Sequence, residues 1–211
     1  MFELQIKELY KYLAKNDLVD TFSIIRQKRK SMVQYVTDGY RWILVPKNSE
    51  MTEENYATEY KVKDSTNIFF INNLNFGKIE NKSMCKKLTK EDLVMFNHFK
   101  DSCSIEDKDE GMVSLEDDCV YGLFDDDKIV AVSSLWNWGN VISDIGILVH
   151  PEYRKKGYAK TVCQTLMSNI DKLYVWRCNE LNKASYNLAT SIGFTPHGLI
   201  QELVKQETFI K

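Results

Sequence analysis

The pattern of hydrophobic and polar positions changes period twice between residues 141 and 167. Residues 141–149 are mostly apolar and β-branched and end at a His-Pro dipeptide, which predicts a largely buried strand. Residues 152–157 are charged and contain one glycine, a composition typical of a tight turn. From residue 159 onward, apolar positions follow helical spacing, and these are Val162, Cys163, Leu166 and Met167. The stretch is predicted to be a strand, a basic turn and a helix.

The turn between this strand and this helix has the properties of an anion site. The first N–H groups of a helix lack partners within the helix, and the helix dipole favours negative charge there. Gly157 allows a ligand to approach the main chain closely. Arg154, Lys155 and Lys156 add positive charge suited to phosphate. The alternative is a solvated basic turn at a helix start.

The N-terminal part of the chain shows structural patterns but no chemical motif. Apolar spacing predicts helices over residues 2–15, 20–28 and 52–60. Residues 32–36 and 40–45 predict a hairpin, and residues 67–71 a strand. The Asn-rich stretch after this strand predicts a domain boundary, with residues 1–82 as an α/β module for packing or substrate shaping and residues 83–211 as the second domain.

The pattern of the second domain predicts an α/β or α+β fold. After a strand over residues 84–88, Thr89 is expected to cap a helix over residues 90–100, with Asp92 at the third following position. An acidic loop over residues 102–118 is expected to contain one helical turn around residues 110–115. The remaining elements are a hairpin of residues 119–124 and 128–138, a strand at 172–178, a helix at 181–192 ended by Gly193, and an extended segment at 194–204.

Net charge, the length of apolar runs and the spacing of cysteines indicate which partners, location and metal sites to expect. A net charge of −2 and a pI near 6.0 argue against nucleic acid as the main partner. The sequence shows neither a signal peptide nor an apolar run of membrane-spanning length, so we expect a cytoplasmic protein without a membrane partner. The five cysteines have no C-x-x-C spacing and the three histidines are isolated, so we expect reduced thiols and no metal site.

Two segments carry a resemblance to a known family. Residues 149–159, VHPEYRKKGYA, resemble the cofactor signature of the GCN5-related N-acetyltransferases (GNAT), with Arg154, Gly157 and Ala159 at its defining positions. Residues 182–194, NKASYNLATSIGF, are similar to the segment that follows the fifth strand of that family. The resemblance implies a mixed, mainly antiparallel central sheet flanked by helices. It also leaves the N-terminal α/β extension as a candidate degenerate half of the same fold.

The resemblance implies an acetyl-CoA-dependent enzyme that transfers an acetyl group directly to a primary amine of a small molecule or peptide, without a metal. In this family the pantetheine arm of acetyl-CoA pairs with the central strand, and the pyrophosphate lies on the N–H groups of the following turn. Asn182 corresponds to a pantetheine ligand, although it suits a helix N-cap equally well. The implied cofactor-binding residues are Ile147, Leu148, Val149, Arg154, Lys155, Lys156, Gly157, Tyr158, Ala159, Lys160, Asn182 and Ser185.

The reaction needs a general base, because an alkylamine has a pKa of about 10 and reacts only when neutral. Asp144 is the only acid on the predicted central strand and is the candidate base; a structural carboxylate is the alternative. The family's usual tyrosine acid falls at Ala189. Tyr186, on the same helix, is a candidate replacement or a core residue.

The acceptor stays open at the level of sequence. Acidic segments at residues 106–110, 116–118 and 125–127 could attract a cationic amine or form solvated loops. Trp136 and Trp138 alternate along one strand and either line an acceptor pocket or fill the core. A non-catalytic acyl-CoA-binding protein and a two-domain regulatory protein are the rival hypotheses, and a monomer or a homodimer is expected.

Overall fold

The structure is a computed structural model that describes residues 21–27, 30–37, 40–46, 60–71, 74–138 and 142–205. The chain divides into two compact units. Unit A comprises residues 71–176 and 187–194, and unit B comprises residues 1–70, 177–186 and 195–211. The predicted boundary after residue 82 stays a prediction.

Ten strands and four helices are described, together with short 3₁₀ turns. The strands are β1 Thr21–Gln27, β2 Lys30–Thr37, β3 Tyr40–Pro46, β4 Tyr60–Phe70, β5 Cys85–Lys87, β6 Cys119–Asp125, β7 Lys128–Trp138, β8 Ile142–Val149, β9 Leu173–Asn179 and β10 Thr195–Lys205. The described helices are α1 Leu93–Asp101, α2 Ile105–Gly111, α3 Tyr158–Met167 and α4 Lys183–Ile192. The 3₁₀ turns cover Lys82–Met84, Lys90–Asp92 and Pro151–Tyr153.

Unit A is an α/β layer built on a mainly antiparallel sheet. Strands β5, β6, β7 and β8 pair antiparallel in sequence order, and β9 joins β8 in parallel. Helix α1 packs on β7, and the core beneath it includes Phe96, Phe99, Val132 and Leu148. Helix α3 packs on β6, β7 and β8, and its Val162 is completely buried. The predicted mixed, mainly antiparallel sheet with flanking helices is confirmed.

Unit B is built on antiparallel strand pairs. Strands β1, β2 and β3 pair in order, and β10 pairs with both β3 and β4. The predicted hairpin is present, since Thr37 of β2 lies opposite Tyr40 of β3. The helices predicted over residues 2–15 and 52–60 lie outside the described residues, apart from Tyr60 in β4. The proposal of a degenerate half of the same fold stays a prediction.

Two secondary-structure predictions are corrected, one helix and one loop. The segment predicted as a helix over residues 20–28 is strand β1, which pairs with β2 along its whole length. Its Phe22 and Ile24 fit an alternating pattern as well as a helical one, and its β-branched residues favour a strand. The acidic stretch predicted as loop with a turn near residues 110–115 contains helix α2, because Ser104 and Asp107 form a capping box at its start.

Candidate active site

Strands β8 and β9 pair over only three residues. Ile142, Ser143 and Asp144 lie opposite Leu173, Tyr174 and Val175, and the pairing then ends although both strands continue. Residues 145–149 therefore have no strand partner on the β9 side within the described parts of the chain. An open edge of this kind presents backbone donors and acceptors to a ligand.

Along β8, the backbone N–H and C=O groups of successive residues point alternately toward β7 and toward the open edge. The N–H of His150 donates to the carbonyl of Val130 at 2.9 Å, and the register with β7 continues without a shift. Antiparallel pairing alternates, so the main-chain groups of Leu148 belong to β7, whereas those of Ile147 and Val149 point to the open edge. The Leu148 side chain is buried in the α1 core.

The turn after β8 has left-handed backbone at two positions. Lys155 has φ 63° and Gly157 has φ 83°. The first hydrogen bond of α3 runs from Thr161 to the carbonyl of Gly157 at 3.1 Å. No backbone N–H of residues 155–160 donates to another group of the described chain. Six consecutive N–H groups before and within the first turn of a helix are suited to binding an anion.

The side chains of this turn are fixed by neighbours in unit A. Arg154 donates from Nη2 to Oδ2 of Asp107 at 2.6 Å. The Nζ atom of Lys156 lies 4.4 Å from the centre of the Tyr153 ring, a cation–π distance. Tyr158 stacks on the same ring at 6.4 Å. These contacts involve side chains and do not use the N–H groups of residues 155–160.

Asp144 lies at the last position of β8 that pairs with β9. Its side chain is 7% exposed, and its Oδ1 accepts from the N–H of Ile145 at 3.1 Å. This hydrogen bond directs the carboxylate to the first residue of the open edge. A buried carboxylate at that point can accept a proton from a group bound there.

The end of α2 lies against β8 at Gly146 and at Ile147, a residue of the open edge. A Cβ atom added to Gly111 would lie 2.6 Å from the carbonyl oxygen of Ile147, and one added to Gly146 would lie 2.8 Å from the carbonyl oxygen of Gly111. Both positions require glycine, because the atoms met are backbone atoms. Helix α2 therefore lies in direct contact with the strand that carries the open edge.

The second predicted motif belongs to helix α4. Asn182 caps this helix, since its Oδ1 accepts from the N–H of Ser185 at 2.9 Å. The ring of Tyr186 packs edge-on against Phe69, with 5.0 Å between the centroids. Ala189, at the family's usual tyrosine position, is completely buried. The roles of Asn182, Ser185 and Tyr186 toward a ligand stay predictions.

The structure brings the residues of the first motif together and adds some that the sequence reasoning missed. Ile147, Val149, the 154–160 turn and Asp144 lie on one strand and its continuation. Asp107 and Gly111 were missed because their segment was expected to be a loop. The signal was available in Ser104-Ile105-Glu106-Asp107, which has capping-box spacing.

The described residues contain neither a cluster of metal ligands nor a membrane-spanning helix. No group of three or more His, Cys, Asp or Glu side chains there has an arrangement that could hold a metal ion. Among the described helices, none is long and apolar enough to cross a membrane. The cysteines at positions 85, 103, 119, 163 and 178 are free thiols, and burial raises the pKa of Cys163 to about 12.

Solved structures with low sequence identity share this fold. A GNAT-family protein from Novosphingobium aromaticivorans has a TM-score of 0.50 and 14% identity, over 79% of this chain and 75% of that one. An acetyltransferase from the GNAT family from Colwellia psychrerythraea has a TM-score of 0.53 and 16% identity, over 77% of this chain and 64% of that one. A conserved protein of unknown function from Staphylococcus epidermidis has a TM-score of 0.51 and 11% identity, over 77% and 70%.

At these identities the similarity shows a common fold only. The chain covers 64% of the Colwellia protein, which is less than two thirds of it. No curated protein has a significantly similar sequence. Residues 85–194, more than half of the 211, match the family model described as Acetyltransferase (GNAT) family. The resemblance drawn from the two motifs is confirmed, and this chain belongs to the GNAT family of acetyltransferases.

Proposed function

We propose that this protein transfers the acetyl group of acetyl-CoA to a primary amine of a small molecule or peptide. One observation carries the proposal: within the described chain, the edge of β8 is unpaired beyond Asp144 and is followed by a turn with six N–H groups that have no acceptor there. A long ligand with an amide-containing arm and a phosphate group fits this arrangement. The amides of the arm would pair with the edge of β8, and the phosphate would bind the N–H groups of the turn that follows.

The open edge of β8 offers an extended arm several residues of unpaired backbone. The five residues from Ile145 to Val149 span roughly 16 Å at about 3.3 Å per residue. The main-chain groups of Ile147 and Val149 would pair with the amides of the arm. The N–H groups of residues 155–160 would hold the pyrophosphate, with Lys155, Lys156 and Lys160 supplying positive charge. The reactive end would then lie near Ile145, beside the carboxylate of Asp144.

Acetyl-CoA supplies a thioester carbonyl as the electrophile. Asp144 accepts the proton of the incoming ammonium, directly or through water, and so generates the neutral amine. The amine nitrogen forms a bond to the carbonyl carbon, and the C–S bond breaks with its electron pair leaving on the CoA sulfur. The nitrogen loses its second proton to solvent, which gives the neutral amide. A backbone N–H of β8 would stabilise the oxyanion in between. The thiolate is then protonated by solvent, and the role of Tyr186 as a proton donor stays a prediction.

A second candidate is a non-catalytic acyl-CoA-binding protein. Ala189 favours it, because this buried methyl group replaces the family's usual proton donor. The packing of Tyr186 on Phe69 also favours the binding protein, because it gives the Tyr186 ring a structural role. This candidate uses the same β8 edge and turn and differs only in the absence of turnover.

Two measurements in sequence test the proposal. Thermal unfolding is followed with acetyl-CoA, with CoA and with ATP as control; a native-state ligand at a hundredfold excess over Kd stabilises by about 2.7 kcal/mol. We expect stabilisation by acetyl-CoA and CoA but not by ATP. CoA release is then measured with a panel of primary amines. Stabilisation without turnover would favour the binding protein, and no stabilisation at millimolar acetyl-CoA would overturn both candidates.

We also propose that the protein acts in the cytoplasm as a monomer or homodimer, without nucleic acid or membrane partners. The net charge of −2 supports the part of this proposal that concerns nucleic acid. Size-exclusion chromatography with light scattering determines the oligomeric state.

A further inference from the structure

Trp136 and Asp144 are direct cross-strand partners. Trp136 of β7 lies opposite Asp144 of β8 in a register without shifts, so both side chains leave the sheet on the same face. That face also carries Val132 and Leu148, which are opposite each other and belong to the α1 core. The indole therefore lies next to the carboxylate that we propose as the general base.

Trp136 is unusual in its exposure. Its side chain is 50% exposed, whereas Val132, on the same strand and face, is completely buried. A tryptophan that filled the core would be buried. The exposure of Trp136 therefore argues against the interpretation that this residue fills the core. A half-exposed tryptophan beside a proposed reaction centre offers a flat, electron-rich surface to a ligand.

Two aspartates lie close to Trp136 in the sheet. Asp144 is its cross-strand neighbour, and Asp118 is tied to the adjacent residue, with its Oδ2 accepting from the N–H of Asn137 at 2.8 Å. A ring face together with carboxylates attracts organic cations and repels ligands that carry their own carboxylate.

We infer that the acceptor is a cationic primary amine whose positive charge is recognised by Trp136, rather than an amine that carries a carboxylate. This inference rests on the proposed function for the position of the reaction centre. Trp136 would be a specificity residue: its indole contacts a positively charged group of the acceptor, while Asp144 takes the proton from the reacting nitrogen.

Three probes of equal chain length separate the alternatives: 1,4-diaminobutane, butylamine and 4-aminobutanoate. We expect kcat/KM to fall in this order with the wild-type protein. Trp136→Leu should lower kcat/KM for the diamine about two- to fivefold, as expected for loss of a cation–π contact. Trp136→Phe should restore most of this loss. The change should lie in KM for the amine, with the affinity for acetyl-CoA unchanged.

A binding measurement keeps the inference independent of turnover. Calorimetric titration of the CoA-saturated protein with 1,4-diaminobutane should show weaker binding to Trp136→Leu and near-normal binding to Trp136→Phe. Val94→Ala, at a position 70% exposed on α1, is the matched surface control. Diamine binding that depends on Trp136 but without acetyl transfer would overturn the proposed function and support this inference. Equal use of the three probes, or no effect of Trp136→Leu on diamine binding, would overturn the inference.

Discussion

Arg154 and Asp107 form an ion pair, with Nη2 of the guanidinium 2.6 Å from Oδ2 of the carboxylate. Arg154 is the first residue of the turn signature, and Asp107 is the capping residue in the first turn of α2. The same Oδ2 accepts from the N–H of Ser104 at 3.4 Å. Because Gly111 at the other end of α2 lies against Ile147, the helix contacts both the turn and the open strand.

We expect Asp107→Asn to lower the free energy of unfolding by about 0.5–1 kcal/mol at pH 7, because it removes a partly exposed ion pair with Arg154 and a negative charge from the first turn of α2. Burial alone raises the pKa of Asp107, but the hydrogen bonds from Arg154 and Ser104 outweigh burial and hold the pKa below the ordinary value of an aspartate. A carboxyl group whose pKa is lower in the folded than in the unfolded state stabilises the folded protein at pH values above the unfolded-state pKa. This stabilisation is lost as the pH falls through the folded-state pKa.

Urea unfolding of wild type and Asp107→Asn at pH 7 and at successively lower pH below 3.8 measures this effect. The difference between the two proteins should shrink as the pH falls. Asp109→Asn, on an exposed position of the same helix, is the control. A difference that is independent of pH would contradict the assignment to this carboxyl.

Gly157→Val should abolish binding of acetyl-CoA. Gly157 has φ 83°, and a Cβ added to it would meet no atom within 4 Å, so strain and blocked access to the turn are the causes rather than crowding. Gly77→Val is a matched control, because Gly77 also has positive φ, 60°, and open space around it. Both variants should lose about 1–2 kcal/mol of stability. Unchanged affinity in Gly157→Val, measured by calorimetry, would remove the phosphate role of this turn.

Asp144→Asn should lower kcat at least about 100-fold, the lower range for removal of a general base. An asparagine still accepts the hydrogen bond from Ile145, so the fold and the acetyl-CoA affinity should be unchanged. Steady-state kinetics with a saturating amine measures the effect. Glu152→Gln, at an exposed position beyond the strand, is the control. A wild-type kcat in Asp144→Asn would leave Asp144 a structural carboxylate.

Tyr186→Phe should lower kcat less than tenfold, because the CoA thiolate leaves readily near neutral pH and the ring contact with Phe69 is kept. Tyr186→Ala should lower the free energy of unfolding by about 2–4 kcal/mol, because the edge-on packing at 5.0 Å is lost. Kinetics and urea unfolding measure the two effects separately. A 100-fold loss of kcat in Tyr186→Phe with normal acetyl-CoA affinity would make its hydroxyl the general acid.

Gly111→Ala should destabilise the protein by about 1–3 kcal/mol, since its Cβ would lie 2.6 Å from the Ile147 carbonyl and the backbone must shift. The shift would alter the open edge of β8, so acetyl-CoA affinity should fall as well. Asp109→Ala, on the same helix, separates this effect from helix propensity. Thermal unfolding with and without acetyl-CoA is the measurement. Full stability in Gly111→Ala would mean that α2 moves away from β8 without cost.

Local signals accounted for the elements that were predicted well. The capping box of Thr89 and Asp92 is present, with the Thr89 N–H donating to the Asp92 carboxylate at 2.8 Å. Gly193, predicted as a helix end, has φ 114° and its N–H reaches the carbonyl of Ala189. The helix prediction for residues 20–28 was wrong because a short apolar run fits both periods, and only pairing with β2 decides between them.

The sequence by itself determined the strand, turn and helix of residues 142–167 and the family they belong to, because backbone preferences and apolar spacing act over neighbouring residues. Tertiary structure alone decided that β9 leaves β8 after Asp144, that Arg154 pairs with Asp107, and that Trp136 is half exposed beside Asp144. Each of these features brings together residues that are far apart in the sequence. Their proximity in space is set by the packing of strands and helices, and no local sequence pattern encodes it.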